Sequence, residues 1–231
     1  RWIHHACGGR GCASCGHTGN LCGPSIQELL SEPVLKLSGG ERTAFHGLGR
    51  EDTDARMLGP GRPFVLEVHR PRRRSLPLDV CLEAFSENAR GLAEVASLVM
   101  VGPEARGAVK TAGAEKTYRA WVEIGGAFPP AALERIAGLA GATVDQASPS
   151  RVQHRRGKTT HRLREIIESS WLGEIDGRHV WEVRVEAGMY VKELVSGDGG
   201  RTRPSLSEVL GLPCKCAALD VLEIHWNPPW E

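Results

Sequence analysis

An α/β fold is predicted for this 231-residue chain from three observations. Period-two alternation marks strand-like segments at 116–124 and 180–186. Helical spacing of apolar residues marks 78–88 and 133–139. A composition of 41% hydrophobic and 25% charged residues supplies enough apolar material for a sizeable core.

Taken in order, residues 1–23 are rich in Gly, Cys and His and poor in core formers, which predicts a knuckle or loop. Residues 24–30 read as a short helix with Ser25 near its start and Ile26, Leu29 and Leu30 at helical spacing. Residues 39–48 lead into a charged loop, and 64–68 form a strand. The basic turn Pro71-Arg72-Arg73-Arg74-Ser75 is a solvated face. Residues 78–88 form an amphipathic helix, and the apolar run 95–101 predicts a buried strand. On strand 116–124, Tyr118, Ala120, Val122 and Ile124 share one face. The helix at 133–139 has Pro129 and Pro130 at its first turn and Gly141 just past its end. Residues 163–175 and 180–186 form a hairpin turned at Asp176-Gly177, burying Trp181, Val183 and Val185. Pro204 opens a helix to Leu210, and 218–225 is the last strand.

Two stretches fit the core poorly. The loop from Gly49 to Phe64 sets Asp52 and Asp54 among Arg50, Arg56 and Arg62, then ends in the turn Gly59-Pro60-Gly61. A carboxylate flanked by guanidinium groups stays ionised at neutral pH and can serve as nucleophile or electrostatic stabiliser. The bland alternative is a surface turn with local ion pairs. The second stretch, Arg151 to Arg164, carries six Lys or Arg and no acid, so a net charge of +1 does not exclude nucleic acid. Lys and Arg in such a run neutralise backbone phosphates and release counterions.

Four of seven cysteines lie in the first 22 residues with the spacing C-x4-C-x2-C-x6-C. In a cytosolic chain that favours metal over disulfide. Cys12 and Cys15 supply half of a tetrahedral zinc site, and Cys7, Cys22, His4, His5 and His17 are candidates for the rest. Free thiols whose metal partners lie upstream are the alternative. No apolar run approaches eighteen residues and no signal peptide opens the chain, so a cytoplasmic location is expected. The chain begins at Arg1 without methionine, as a fragment would.

The segment Gly49-Arg50-Glu51-Asp52-Thr53-Asp54-Ala55-Arg56-Met57-Leu58-Gly59, continued by Gly61-Arg62-Pro63-Phe64, resembles the active-site motif of the archaeal and eukaryotic tRNA pseudouridine synthases that modify the T-arm, the Pus-ten type. Its core Gly-Arg-x-Asp resembles the catalytic loop of a second pseudouridine synthase group. Other family-like runs follow in order: Cys12-Ala13-Ser14-Cys15-Gly16 before Pro24-Ser25, with His17 where glycine is common; Lys116-Thr117-Tyr118; Ser148-Pro149 before Arg151-Val152-Gln153-His154-Arg155-Arg156, where the family pattern has Thr-Pro; Gly188-Met189-Tyr190-Val191-Lys192; and Gly197-Asp198-Gly199-Gly200-Arg201-Thr202-Arg203-Pro204.

The resemblance implies a pseudouridine synthase catalytic domain over 24–231, of α/β (α+β) class, with a central mixed β-sheet, helices and rim loops, preceded by the Cys-rich knuckle at 1–23. It implies an isomerase (an intramolecular transferase) that turns T-arm uridine, at tRNA position 54, 55 or both, into pseudouridine. Asp52 would be the nucleophile, with Asp54 a supporting or alternative carboxylate, and Lys192 would hold the nucleophile ionised. Tyr118 and Tyr190 would border the target base, and Arg50 would hold the flipped nucleotide or its phosphate. Arg151, His154, Arg155 and Arg156 would track the tRNA backbone. Catalysis would need no cofactor, and one structural zinc on Cys7, Cys12, Cys15 and Cys22 would complete the knuckle. The partner would be tRNA, with no membrane and no protein partner. The N-terminal RNA-binding domain of the family, of the THUMP class, is not expected within these 231 residues. Two rivals remain open at this point: a tRNA-binding module without turnover, and a glycoside hydrolase using Asp52 with Asp54. Residues two apart on one loop are hard to set about 5 Å or more apart across a sugar, which weakens the second.

Overall fold

The computed structural model of the chain describes residues 5–8, 10–17, 19, 24–50, 54–152 and 160–230. Its helices are α1 (Ile26–Ser38), α2 (Leu78–Ala89), α3 (Ala105–Thr111), α4 (Ala132–Ala137), α5 (Val191–Ser196) and α6 (Leu206–Leu210). Its strands are β1 (Arg42–Gly47), β2 (Ala55–Met57), β3 (Phe64–His69), β4 (Glu115–Ile124), β5 (Thr143–Ala147), β6 (His161–Ile175), β7 (Arg178–Val185), β8 (Thr202–Arg203) and β9 (Cys214–His225). Packing divides the chain into two compact units, Arg1–Gly49 with Pro63–Lys110 and Trp230, and Arg50–Arg62 with Thr111–Pro229 and Glu231. The cysteine segment therefore groups with residues 24–49 and 63–110, and the charged loop belongs to the second unit.

In the first unit α1 begins at a capping box. Ser25 Oγ accepts the Glu28 amide at 3.3 Å, and the Glu28 carboxylate accepts the Ser25 amide at 2.8 Å, so two otherwise orphaned donors are satisfied. The helix runs past the 24–30 segment expected for it and through Pro33 to Ser38. A proline has no amide to give the Leu29 carbonyl one turn back, and the break is mended from outside: Asn88 of α2 donates its side-chain amide to Leu29 O at 2.7 Å. Leu30 and Val34 of α1 meet Cys81 and Phe85 of α2 in a core joined by Phe45, Phe64, Leu66 and Val68. The last four come from β1 and β3, an antiparallel pair that keeps those side chains on one face, with Phe45 stacked on Phe64 at 5.3 Å. The run 95–101 forms no strand. Val95 and Leu98 pack on this core, while Val99 and Met100 are 62% and 65% exposed. A short apolar run without alternation can cover a core without pairing.

The second unit is a seven-stranded sheet in the order β2-β9-β4-β7-β6-β5-β8. It is mixed, as expected, because β2 runs parallel to β9 while the pairings β9-β4, β4-β7, β7-β6, β6-β5 and β5-β8 are antiparallel. The β6-β7 hairpin turns at Asp176 and Gly177 as its sequence demands. Alternation on β4 buries Tyr118, Ala120 and Val122, with Lys116 beside them; Trp181, Val183 and Val185 of β7 do the same. Trp181 gives its indole N–H to Ser169 Oγ at 3.0 Å, and Ser169 donates in turn to the Ile136 carbonyl of α4 at 2.7 Å, tying that helix to β6. The alternate positions carry cross-strand ion pairs, Arg119 with Glu182 and Arg184 with both Glu115 and Glu168.

Candidate active site

The site is assembled from two connections at the sheet. The first delivers the charged loop. Asp54 stands immediately before β2, and β2 aligns Ala55 with Leu219, Arg56 with Asp220 and Met57 with Val221 of β9. Leu58 continues the pairing by donating to Val221 O at 2.9 Å. Gly59 then turns with φ 59°, and a Cβ there would fall 2.2 Å from Leu222 O, so only glycine lets the backbone pass so close to β9. Arg56 reaches Asp220 at 3.3 Å, and Asp220 is buried and also accepts from Trp121 Nε1.

The second connection is Glu186-Ala187-Gly188-Met189-Tyr190, which carries the chain from β7 into α5. Gly188 lies at φ 87°, a conformation that excludes other residues although the space around it is ordinary. Tyr190 caps α5 in an extended conformation: its carbonyl accepts the Leu194 amide at 2.9 Å as the first bond of the helix, and its amide and that carbonyl are also reached from outside the helix. Gln146 of β5 takes them up. This side chain is 1% exposed; it accepts the Tyr190 amide at 2.7 Å and donates to Tyr190 O at 3.0 Å and to Thr202 Oγ1 at 3.2 Å. Arg162 of β6 lies over the Tyr190 ring, 5.8 Å from its centroid. Arg164 donates to Ala187 O at 2.8 Å, bracing the same connection.

From α5, Lys192 Nζ meets both carboxylate oxygens of Asp54 at 2.5 Å. Hydrogen bonding from Lys192 holds the Asp54 carboxyl below the usual carboxylate range; burial opposes this, and the charges of Lys192 and Arg151 add to the lowering. Next along the helix, Glu193 is buried and takes Arg151 in a forked pair, Nε at 2.6 Å and Nη2 at 3.3 Å. The Cys216 thiol of β9 is pushed up to about 11, chiefly by burial, with Lys192 lowering it and Asp54 and Glu193 raising it.

The sequence-derived candidates are thus distributed unevenly. Lys192 and Tyr190 are brought to one connection, and the carboxylate described against Lys192 is Asp54. Arg151 is committed to Glu193. Tyr118 is buried in β4, aligned with Val183 and Val221 on either side. Arg50 is exposed. Asp52, His154, Arg155, Arg156 and Cys22 lie outside the described residues. Gln146, Arg162 and Glu193 were not singled out from sequence. An acid amid Val191, Leu194 and Val195 was the available signal for Glu193, whereas nothing in the segment Thr143–Ala147 distinguishes its glutamine from an exposed one.

In the first unit, Cys7, Cys12 and Cys15 bring their sulfur atoms within 4.8 Å of one another. The Cys12 and Cys15 sulfurs are 3.8 Å apart, close to the roughly 3.8 Å that Zn–S bonds of about 2.3 Å set across a tetrahedral centre. Backbone amides point at sulfur, Gly11 to Cys7 and both Cys12 and Gly19 to Cys15. Burial raises the Cys15 thiol, but these Cys12 and Gly19 amides and the Cys12 and Cys7 side chains outweigh it and lower the thiol to about 6. Three sulfurs in this shape, with Cys15 favouring the thiolate, fit zinc.

Three comparisons place this geometry among known proteins. A family model described as "Pus10, C-terminal" matches residues 10–225. A tRNA pseudouridine synthase Pus10 of Methanothrix thermoacetophila is 43% identical over 99% of this chain and 50% of its own length. That of Methanothermobacter marburgensis is 43% identical over 97% of this chain and 55% of its own length. The chain therefore spans about half the length of the curated relatives it matches. Among solved structures, a chain in the crystal structure of a Cbf5-Nop10-Gar1 complex overlays 88% of this chain, and 46% of its own length, with TM-score 0.52 and 17% identity, a likeness of fold.

Proposed function

This chain belongs to the Pus10 family, and from that premise we propose that it is the catalytic part of a cytoplasmic tRNA pseudouridine synthase acting on T-arm uridine. The observation that carries the reading is the Lys192–Asp54 pair, an ammonium from the Gly-x-Tyr-x-Lys helix seated on the Gly-Arg-x-Asp loop. Asp52 is the proposed nucleophile. Lys192 holds the loop's carboxylates ionised and in place, and Asp54 anchors the loop to α5.

The reaction breaks the bond between C1′ and N1 of uridine, turns the uracil within the site, and rejoins C1′ to C5, with N1 gaining the proton that C5 loses. The uridine must first leave its stack. Tyr190, backed by Arg162, offers a surface on which a base rotates in plane, and stacking of this kind contributes about 1 to 3 kcal/mol per base. Tyr118 borders the base from β4, and Arg50 holds the flipped nucleotide. His154, Arg155 and Arg156 track the tRNA backbone. Cys7, Cys12 and Cys15 with Cys22 hold one structural zinc, which takes no part in the chemistry.

The test is pseudouridine formation on an unmodified tRNA transcript under saturating single turnover. Asp52→Asn should lose at least about a thousandfold in rate while tRNA binding survives, and Asp54→Asn should lose less. A wild-type rate for Asp52→Asn would refute the assignment, and a dead Asp54→Asn beside it would move the nucleophile two residues along.

A further inference from the structure

The buried charged side chains of the second unit include Lys116, Glu193 and Asp220. Asp220 is answered by Trp121 and Arg56. Glu193 has no place in the proposed chemistry, yet it adjoins Lys192 in sequence, is 5% exposed, and is held by both a 2.6 Å and a 3.3 Å bond from one guanidinium. Two ion pairs, Arg151 with Glu193 and Lys192 with Asp54, therefore meet α5 at neighbouring positions. Their closeness shows in the electrostatics: the Asp54 carboxylate feels Arg151, and the Cys216 thiol feels Lys192, Asp54 and Glu193 together.

We propose that Arg151 is a positioning residue that neutralises Glu193 and so leaves Lys192 to the acidic loop. The proposal rests on the pseudouridine synthase reading and gives that site a further member. Removing the guanidinium leaves the buried Glu193 carboxylate without its forked partner, next along the chain to Lys192. A buried carboxylate tolerates the absence of a counter-charge far less than an exposed one, and Asp54 is 69% exposed. Glu193 then wins the flexible Lys192, and the loop bearing Asp52 and Asp54 loses its tether. A forked pair already made within the protein also leaves Arg151 a poor phosphate contact, because gaining the phosphate would strand Glu193.

The decisive comparison is Arg151→Met, Glu193→Gln and the double variant, scored by single-turnover rate at saturating tRNA and by tRNA affinity across salt concentrations. Arg151→Met should lower the rate by about 10- to 100-fold while affinity and salt slope stay within about threefold of wild type. Glu193→Gln should be near wild type, and adding it to Arg151→Met should restore the rate to within about threefold of wild type. Arg151→Lys, with one point charge in place of the fork, should fall between and be rescued by the same Glu193→Gln; it carries the test if Arg151→Met does not fold. An unchanged rate with weaker affinity and a flatter salt slope makes Arg151 a phosphate contact and overturns the proposal. An unrescued double variant, or a dead Glu193→Gln, overturns it as well. Absence of turnover in the wild-type chain itself would instead count against the pseudouridine synthase reading.

Discussion

Replacing Gln146 with Leu tests whether Tyr190 is presented by β5. Leucine keeps most of the volume but removes three hydrogen bonds, from the Tyr190 amide at 2.7 Å, to Tyr190 O at 3.0 Å and to Thr202 Oγ1 at 3.2 Å. The losses are unequal. Tyr190 O keeps the Leu194 amide at 2.9 Å from the first turn of α5, and the Thr202 hydroxyl can rotate. The Tyr190 amide is the group left without its acceptor. An unsatisfied buried amide costs about 1 to 3 kcal/mol, and the two remaining bonds add about 0.5 kcal/mol each, so Gln146→Leu should destabilise the second unit by about 2 to 4 kcal/mol. With a urea slope of about 2 to 3 kcal/mol per molar, the midpoint should drop by about 1 M. Gln146→Glu keeps the acceptor for the Tyr190 amide and should lose less. Urea unfolding followed by tryptophan fluorescence reads the difference, and pseudouridine formation below the unfolding range should fall more than tRNA affinity does. A Gln146→Leu midpoint within about 0.3 M of wild type would show that Tyr190 is held by something other than β5.

Three further outcomes follow from the geometry. Gly59→Ala places a methyl 2.2 Å from Leu222 O at φ 59°, so it should cost at least about 2 kcal/mol and detach β2 from β9, seen as faster amide exchange at Leu58. The Asp54 carboxyl is lowered from 3.8 by Lys192, so the stability this adds is complete above about pH 4 and disappears as pH falls through the folded-state value. The midpoint gap between wild type and Lys192→Met should therefore be flat from pH 7 to 5 and close in stronger acid; a gap that widens there would refute the pairing. Purified chain should carry about one equivalent of zinc, and Cys15→Ser should lower it sharply while leaving the second unit's unfolding unchanged.

What the sequence determined by itself is what repeats along the chain or hangs on one residue's own chemistry. The alternation of Tyr118, Ala120 and Val122, and of Trp181, Val183 and Val185, was readable because one buried face imposes period two on every second residue. The turn at Asp176-Gly177 was readable because few residues accept positive φ, and the cap at Ser25 because few side chains can accept a helix-start amide. The run 95–101 was misread because apolarity without period says that a segment is covered but not how. Strands β1, β2, β5 and β8 went unseen: β1 is half-buried along nearly its whole length and so shows no alternation, β2 and β8 are too short to show a period, and β5 buries a glutamine. Resemblance directed Lys192 to the charged loop, where the structure sets it on Asp54 across 138 positions; tertiary structure alone chose Arg151 with Glu193 across 42 and Gln146 with Tyr190 across 44. A charge or an amide carries in sequence no mark of its partner, since the bond depends on distance in space, and only the register of the sheet and the entry of α5 set those distances.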